Sequence, residues 1–315
     1  MVLTEKVVHE EEQCMTAADR YLKAARREST TRRYQQAIKH FENEWGGLLP
    51  ASSEGVVRYL ADHAEQLSSN TLRTHLAALA QWHKSHGFID PTKAPKVRDV
   101  LRGIHAEHPR PVKKAEAMQL QAIEACIEGL QAQVSSGSAC QQLRAQRDRA
   151  LILLGFWRAF RADELCGLRV EHIKLRSAEG LELFLASSKT DREHQGRTVA
   201  VPALKRLCPV QAYEEWLQAS DLKQGPLFRS IDRWGHLGVE ALNPNSISRL
   251  LRLAFARNGL VGEGYSGHSL RRGFATWATR NDWGTKALMD YVGWRDVASA
   301  MRYIDNNAFF GEWAR

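Results

Sequence analysis

Apolar residues recur at helical spacing along most of the chain, and the places where that rhythm stops divide it into segments. Between about Glu12 and Ala106 the breaks fall at Ser29–Thr30, at Gly46–Gly47 with Pro50, at Ser68–Ser69–Asn70 and at Gly87 with Pro91. Each break offers a Ser, Thr or Asn to cap the next amphipathic run, so four or five helices are expected there. Leu72, Leu76, Leu79 and Trp82 form an apolar stripe on one of them, leaving Arg73, His75, His83 and Lys84 for its other faces.

The rhythm lapses at 107–115, EHPRPVKKA, where two prolines and three basic residues make an extended linker between residues 1–106 and 116–315. Helical patterns resume at about 115–131 and 139–158. The second ends in Leu151–Trp157, apolar all round and therefore expected to be a buried central helix. Strict alternation appears once with conviction. Leu181, Leu183 and Leu185 interleave with Glu182 and Phe184, and Arg197–Val201 makes a return strand, the two joined by the polar run SSKTDREHQG. Helix returns after Pro209 through Trp216, and again over Asn245–Asn258, where Leu250, Leu253 and Ala254 are expected to face inward and Arg249, Arg252 and Arg257 outward. The expected fold class is mainly α (α+β): an amino-terminal helical domain, then a mixed helical domain with a small antiparallel sheet.

Composition adds a direction. Lysine and arginine number 44 against 36 acidic residues, a net charge of +8, which favours a polyanionic partner. Five scattered cysteines, with no CxxC spacing, suit reduced thiols better than a disulfide frame or a zinc site. No run approaches the roughly 20 apolar residues of a membrane span, and the amino terminus has no signal-peptide pattern, so a cytoplasmic protein is expected. Residues 262–267, GEGYSG, fit GxGxxG formally, yet they follow a helix and lack a βαβ setting. His105 and His108 lack the i, i+4 spacing of a zinc protease. No P-loop, GxSxG elbow or acidic metal cluster occurs.

The chemistry concentrates in Gly267–Asp305. Leu270, Phe274, Trp277 and Ala278 form the apolar stripe of one helix, and His268 and Arg271 sit at i, i+3 on another face, where they can serve one anionic ligand. In the last helix Val297, Ala300, Met301 and Ile304 make the stripe and Tyr303 lies beside it. Upstream, Arg161 follows the most apolar segment and must snorkel outward or meet an anion. Glu164 is either its plain ion-pair partner or the group that orients it toward a phosphate. Singly, each of these residues is ordinary. Together, Arg161, Lys189, His268, Arg271, Trp294 and Tyr303 supply every type that phosphoryl transfer without a metal requires. Two guanidinium forks clamp equatorial oxygens, the imidazole and indole donate further bonds, a phenol attacks with His268 as base, and a lysine protonates the leaving oxygen.

In this set the chain resembles the tyrosine recombinases of the phage integrase family, with Trp294 similar to the Cre-type variant of a position more often histidine. The resemblance covers about Leu151–Asp305. It implies a core-binding domain over 1–106 and a catalytic domain over 116–315, with double-stranded DNA clamped between them. It also implies a 3′-phosphotyrosine intermediate, strand exchange in a homotetramer on an inverted-repeat site, and no cofactor, metal or ATP. Glu164 would support Arg161. The segment Asn306–Arg315, with Phe309, Phe310 and Trp313, would dock on a neighbouring protomer. For DNA contact the basic candidates are Arg32, Arg33, Lys39, Arg73 and Lys84 in the first domain and Arg249 and Arg252 in the second. A type IB topoisomerase-like nicking-closing activity and a non-catalytic DNA-binding accessory role stay open. Whether an accessory protein sets the direction of reaction is not written in the sequence.

Overall fold

The computed structural model describes residues 21, 28–110, 115–176, 179–186 and 195–301. The chain divides into two compact units, Met1–Lys113 and Lys114–Arg315.

The first unit is helical. Its described helices are α1 (Glu28–Lys39), continued by a π-helical turn over His40–Glu44, α2 (Ser53–Asp62), α3 (Ser69–Ser85) and α4 (Pro95–Glu107). Capping explains where two of them start: the Ser52 hydroxyl accepts from the Gly55 N–H at 3.0 Å and that of Ser68 from the Thr71 N–H at 3.1 Å. Ser29 and Thr30 lie in the first described turn of α1. The core gathers Phe41, Val56, Tyr59, Leu60, Leu72, Leu79 and Val97, each worth about 1.5–3 kcal/mol of apolar burial.

Two of the histidines expected on the basic faces of α3 serve this core instead. His83 is buried, with Nδ1 donating to the Leu79 carbonyl at 2.7 Å and Nε2 accepting from the Ala51 N–H at 2.8 Å. His75 lies with its Nδ1 2.5 Å from the Tyr59 hydroxyl. The linker expectation also shifts. Helix α4 runs to Glu107, and Arg110 donates to the carbonyls of Glu65 and Gln66 in its own unit.

The second unit is built on α6. Helix α5 (Leu120–Ser136) packs on α6 (Ala139–Trp157), and α8 (Pro209–Ser220) covers another of its sides. From Arg147 to Phe156 every residue of α6 is buried, as its unbroken apolar end requires. Of its three buried charges, Arg147 and Asp148 pair with each other, Nη2 to Oδ1 at 2.7 Å, and Arg149 pairs with Glu215. Between α6 and α8 the chain forms the short α7 (Ala162–Cys166) and a three-stranded antiparallel sheet: β1 (Ile173–Arg176), β2 (Gly180–Leu185) and β3 (Arg197–Pro202), in that order. Leu183 pairs with Val199 and Leu185 with Arg197, so the alternation read from sequence is the observed hairpin.

Strand β1 and a second hairpin, β4 (Arg229–Ile231) with β5 (Leu237–Ala241), carry no alternation long enough to be seen in the sequence. The unit closes with α9 (Ser246–Arg257), α10 (Gly267–Arg280), α11 (Thr285–Val292) and α12 (Val297–Met301). On α9 the inward face is Ile247, Leu251, Ala254 and Phe255, and Leu253 faces outward. On α12 Ala300 is buried while Val297 and Met301 are exposed, contrary to the expected stripe. Among the described residues, no helix is long and apolar enough to cross a membrane.

Candidate active site

Glycine lets the site assemble. A Cβ on Gly155 of α6 would stand 2.7 Å from a methyl of Leu270, so the missing side chain at position 155 lets the Leu270 side chain of α10 pack directly on α6. That approach brings Arg271 to the carboxy-terminal end of α6. Its Nη1 donates to the Ala159 carbonyl at 2.7 Å and its Nη2 to the Val292 carbonyl at 3.1 Å, and the side chain is 2 % exposed. The guanidinium carbon lies 5.4 Å from the centre of the Trp294 ring, within cation–π range.

Glu164 is the hub. Buried at the third position of α7, it accepts from the Arg161 N–H at 2.9 Å through Oε2 and from Arg161 Nη1 at 2.8 Å through Oε1. Oε2 is also 3.9 Å from Arg271 Nη1, and Oε1 is 3.5 Å from Arg197 Nη2. Three guanidinium groups thus face one carboxylate. Among the described contacts positive charge exceeds negative in this corner, which favours an anion there. Of the two readings open for Glu164, the ion pair with Arg161 is present, and it also orients the guanidinium.

The turn after α11 forms the adjoining wall. Gly293 takes a left-handed conformation, φ 77°, and its N–H closes the helix on the Met289 carbonyl at 2.8 Å. Trp294 follows, 7 % exposed, with its own N–H on the same carbonyl at 2.9 Å. Below it Arg158 donates to the Tyr291 carbonyl, and its guanidinium carbon lies 4.3 Å from the Tyr291 ring centre. Burial holds the Arg158 guanidinium below the usual arginine range, at about 10; the Tyr291 hydroxyl partly opposes this and the Arg197 charge adds to it. It keeps its charge at neutral pH. The Tyr291 hydroxyl donates to the Trp157 carbonyl at 2.8 Å, tying α11 to the end of α6.

His268 lies in the first turn of α10, exposed, with its N–H donating to the Ser266 hydroxyl at 3.2 Å. Its exposed side chain contrasts with that of Arg271, which is buried. Arg161, Glu164, Arg271 and Trp294 are therefore brought together. Lys189, Tyr303 and the segment Asn306–Arg315 lie outside the described residues. Arg158 and Arg197 are additions that sequence reading missed. For Arg197 a signal existed, since the alternation through Val199 and Val201 places it on the inward face of β3.

The basic candidates for DNA contact separate into groups. In the first unit Arg33 and Arg73 line one open cleft between α1 and α3, with Thr30, Tyr34 and Thr74. Arg32 is paired with Glu28 at 2.6 Å, Lys84 lies 3.6 Å from Asp90, and Lys39 is exposed at the end of α1. In the second unit Arg249 and Arg252 are both exposed on α9, and Arg252 donates through Nε to the Tyr265 carbonyl at 2.9 Å.

A mainly α unit with a small antiparallel sheet thus carries an arginine-rich corner gathered on one buried carboxylate. Comparison with known proteins identifies the family. The pattern of the phage integrase family matches residues 131–308. The chain is 28% identical over 319 residues to an integrase/recombinase xerD homolog of Selenomonas ruminantium, covering 98% of this chain and 91% of that one. It is 25% identical over 272 residues to the recombinase cre of Escherichia phage P1, covering 82% and 77%. Among solved structures, the Tn1549 transposon integrase in complex with circular intermediate DNA has a similar fold, with a TM-score of 0.62 at 14% identity over 92% of this chain and 93% of that one. The chain belongs to the phage integrase family and is a tyrosine site-specific recombinase acting on DNA.

Proposed function

We propose that Arg161 and Arg271 bind the non-bridging oxygens of the scissile phosphate and that Tyr303 attacks its phosphorus. The observation carrying this is the convergence of both arginines on the single buried carboxylate of Glu164. A guanidinium already desolvated and oriented needs no rearrangement when charge builds on the equatorial oxygens. His268 accepts the phenolic proton as Tyr303 attacks, and Lys189 protonates the departing 5′ oxygen. The indole N–H of Trp294, beside Arg271, adds a donor to the same phosphate. The product is a 3′-phosphotyrosine with a free 5′-hydroxyl, and attack by a second 5′-hydroxyl reverses the chemistry on a new strand.

Both units contribute to the duplex in this reading: residues 1–106 through Arg33, Arg73 and the basic residues beside them, 116–315 through Arg249 and Arg252. The substrate is double-stranded DNA carrying an inverted-repeat site, and exchange proceeds in a homotetramer, with direction open to an accessory protein. The test is a nicked suicide duplex built on the sequence that the full chain selects from a randomised pool. A covalent protein–DNA adduct is expected with the native chain and none with Tyr303→Phe. An adduct that survives Tyr303→Phe removes the nucleophile assignment. Conversion of a two-site plasmid to recombined circles, and not merely to relaxed ones, then establishes strand exchange.

A further inference from the structure

The hairpin β2–β3 returns to the anion corner through Arg197. As the first residue of β3, opposite Leu185, it lies on the same inward face as Val199 and Val201. A charged residue at an inward register position needs a reason. Its side chain supplies two contacts. Nη2 lies 3.5 Å from Oε1 of Glu164, the oxygen that also accepts from Arg161. Nη1 rests against the backbone of Gly293, where a Cβ would stand 2.2 Å from it. Gly293 is favoured by its left-handed φ of 77°, and a side chain there would displace the Arg197 guanidinium.

We propose that Arg197 is a positioning residue for strand cleavage, joining three separate pieces of chain at the phosphate: the sheet edge, the Glu164 carboxylate and the Gly293–Trp294 turn. Its two ends face protein, and at 29 % exposure its side chain is more open than those of Arg161 at 17 % and Arg271 at 2 %. By drawing on Oε1 of Glu164 it moderates the pull of that oxygen on Arg161, whose remaining N–H donors stay directed at an incoming anion. By packing on Gly293 it fixes where the chain leaves α11, and so where the Trp294 indole sits over Arg271. Its Nε is buried without a partner among the described residues.

The inference rests on the reading of Trp294 as a phosphate donor, and the experiment separates the two. Single-turnover adduct formation on the nicked suicide duplex, at saturating DNA, is measured for the full chain, Arg197→Ala, Trp294→Phe and the double variant. Arg197→Ala is expected to slow the reaction about 10–100-fold while the Kd for the same duplex moves by less than about threefold. In the Trp294→Phe background, where no indole N–H remains to be placed, Arg197→Ala should cost several-fold less than in the native background, the remainder being its effect on Arg161 through Glu164. An unchanged rate, a loss that appears in Kd or, where Trp294→Phe alone is slow, equal factors in both backgrounds overturns the proposal. If Arg197→Ala fails to fold by circular dichroism, Arg197→Lys takes its place in the same cycle. Lysine can pair with Glu164 but cannot span to Gly293, so a native rate in Arg197→Lys also overturns it. If Trp294→Phe alone cleaves at the native rate, the donor role of Trp294 is lost first, and equal Arg197 factors in the two backgrounds then follow from that failure.

Discussion

Nη1 of Arg271 donates to the main-chain carbonyl of Ala159 at 2.7 Å, joining α10 to the end of α6 through a side chain that is 2 % exposed. Ala159 presents that carbonyl from a left-handed conformation, φ 51°, which is uncommon for a residue with a Cβ. Arginine alone among the side chains can donate to two carbonyls, face Glu164 and lie over Trp294 at once. Arg271→Lys keeps the charge and loses the fork. It is expected to lower the adduct-forming rate about 10²–10³-fold and to reduce unfolding free energy by about 2–4 kcal/mol, read by the suicide-duplex assay and a urea melt. A near-native cleavage rate in this variant would show that the two carbonyl contacts do not set the clamp.

Glu164 tests the balance of charge in the same corner. Glu164→Gln keeps the shape and removes the one negative group that three guanidiniums share. The corner becomes more positive, so DNA affinity should hold or rise. The arginines lose the partner that orients them, so cleavage should fall by about 10–100-fold. Equilibrium binding by fluorescence anisotropy and adduct formation at saturating DNA separate the two effects. Parallel losses in both would mean that Glu164 serves folding alone.

The divided legibility of this chain has physical causes. Leu151–Trp157 and the Leu181/Leu183/Leu185 alternation announced themselves because a residue buried on every side, or on one side of a strand, has no freedom to be polar. Strand β1 and the hairpin β4–β5 are too short and too exposed to leave such a record; β5 has no buried residue. His83 looked like part of a basic face because sequence does not reveal that both ring nitrogens have backbone partners. The residues of the anion corner were readable as a set, since Arg161, Glu164, Arg271 and Trp294 have few joint uses. Their sharing of one carboxylate was not, and neither were Arg158 and Arg197, whose roles depend on contacts distant in sequence.

Burial of His75 beside Tyr59 is expected to make the first unit acid-sensitive. The Tyr59 hydroxyl lies 2.5 Å from Nδ1 of His75 and 2.9 Å from Nδ1 of His40, so its single proton goes to one ring and the other ring donates to the oxygen. Burial, then the nearby His40 and His63, lower the His75 pKa from its ordinary 6.5 to about 4, against a small opposing pull from Glu44. The unfolded chain therefore takes up this proton first as pH falls. Stability is held above pH 6.5 and lost progressively toward pH 4, by about 1–2 kcal/mol after screening at a half-open site. Urea melts at pH 7 and pH 4.5 should show this slope, and His75→Phe should flatten it. An unchanged slope in the variant would assign the acid sensitivity to other groups.

Arg249 and Arg252 stand on one helix and are exposed alike, yet they differ in what they already hold. Arg252 has its Nε committed to the Tyr265 carbonyl at 2.9 Å, which ties α9 to the segment entering α10. Arg249 lies three residues earlier on α9. If Arg249 neutralises a backbone phosphate, Arg249→Ala weakens binding to every duplex alike and reduces the slope of log K against log salt by about 0.9. If it reads a base edge, the variant loses about 1–3 kcal/mol of discrimination at one position of the selected site. The phosphate role is the expected one, because the loosely held side chain of an exposed helical arginine favours a contact that tolerates sequence. Arg252→Ala is expected to lower the melting temperature more than Arg249→Ala does, since it also releases the Tyr265 carbonyl. Salt titrations of both variants on the selected duplex and on one unrelated sequence decide the matter, and an unaltered slope for Arg249→Ala removes that residue from the interface.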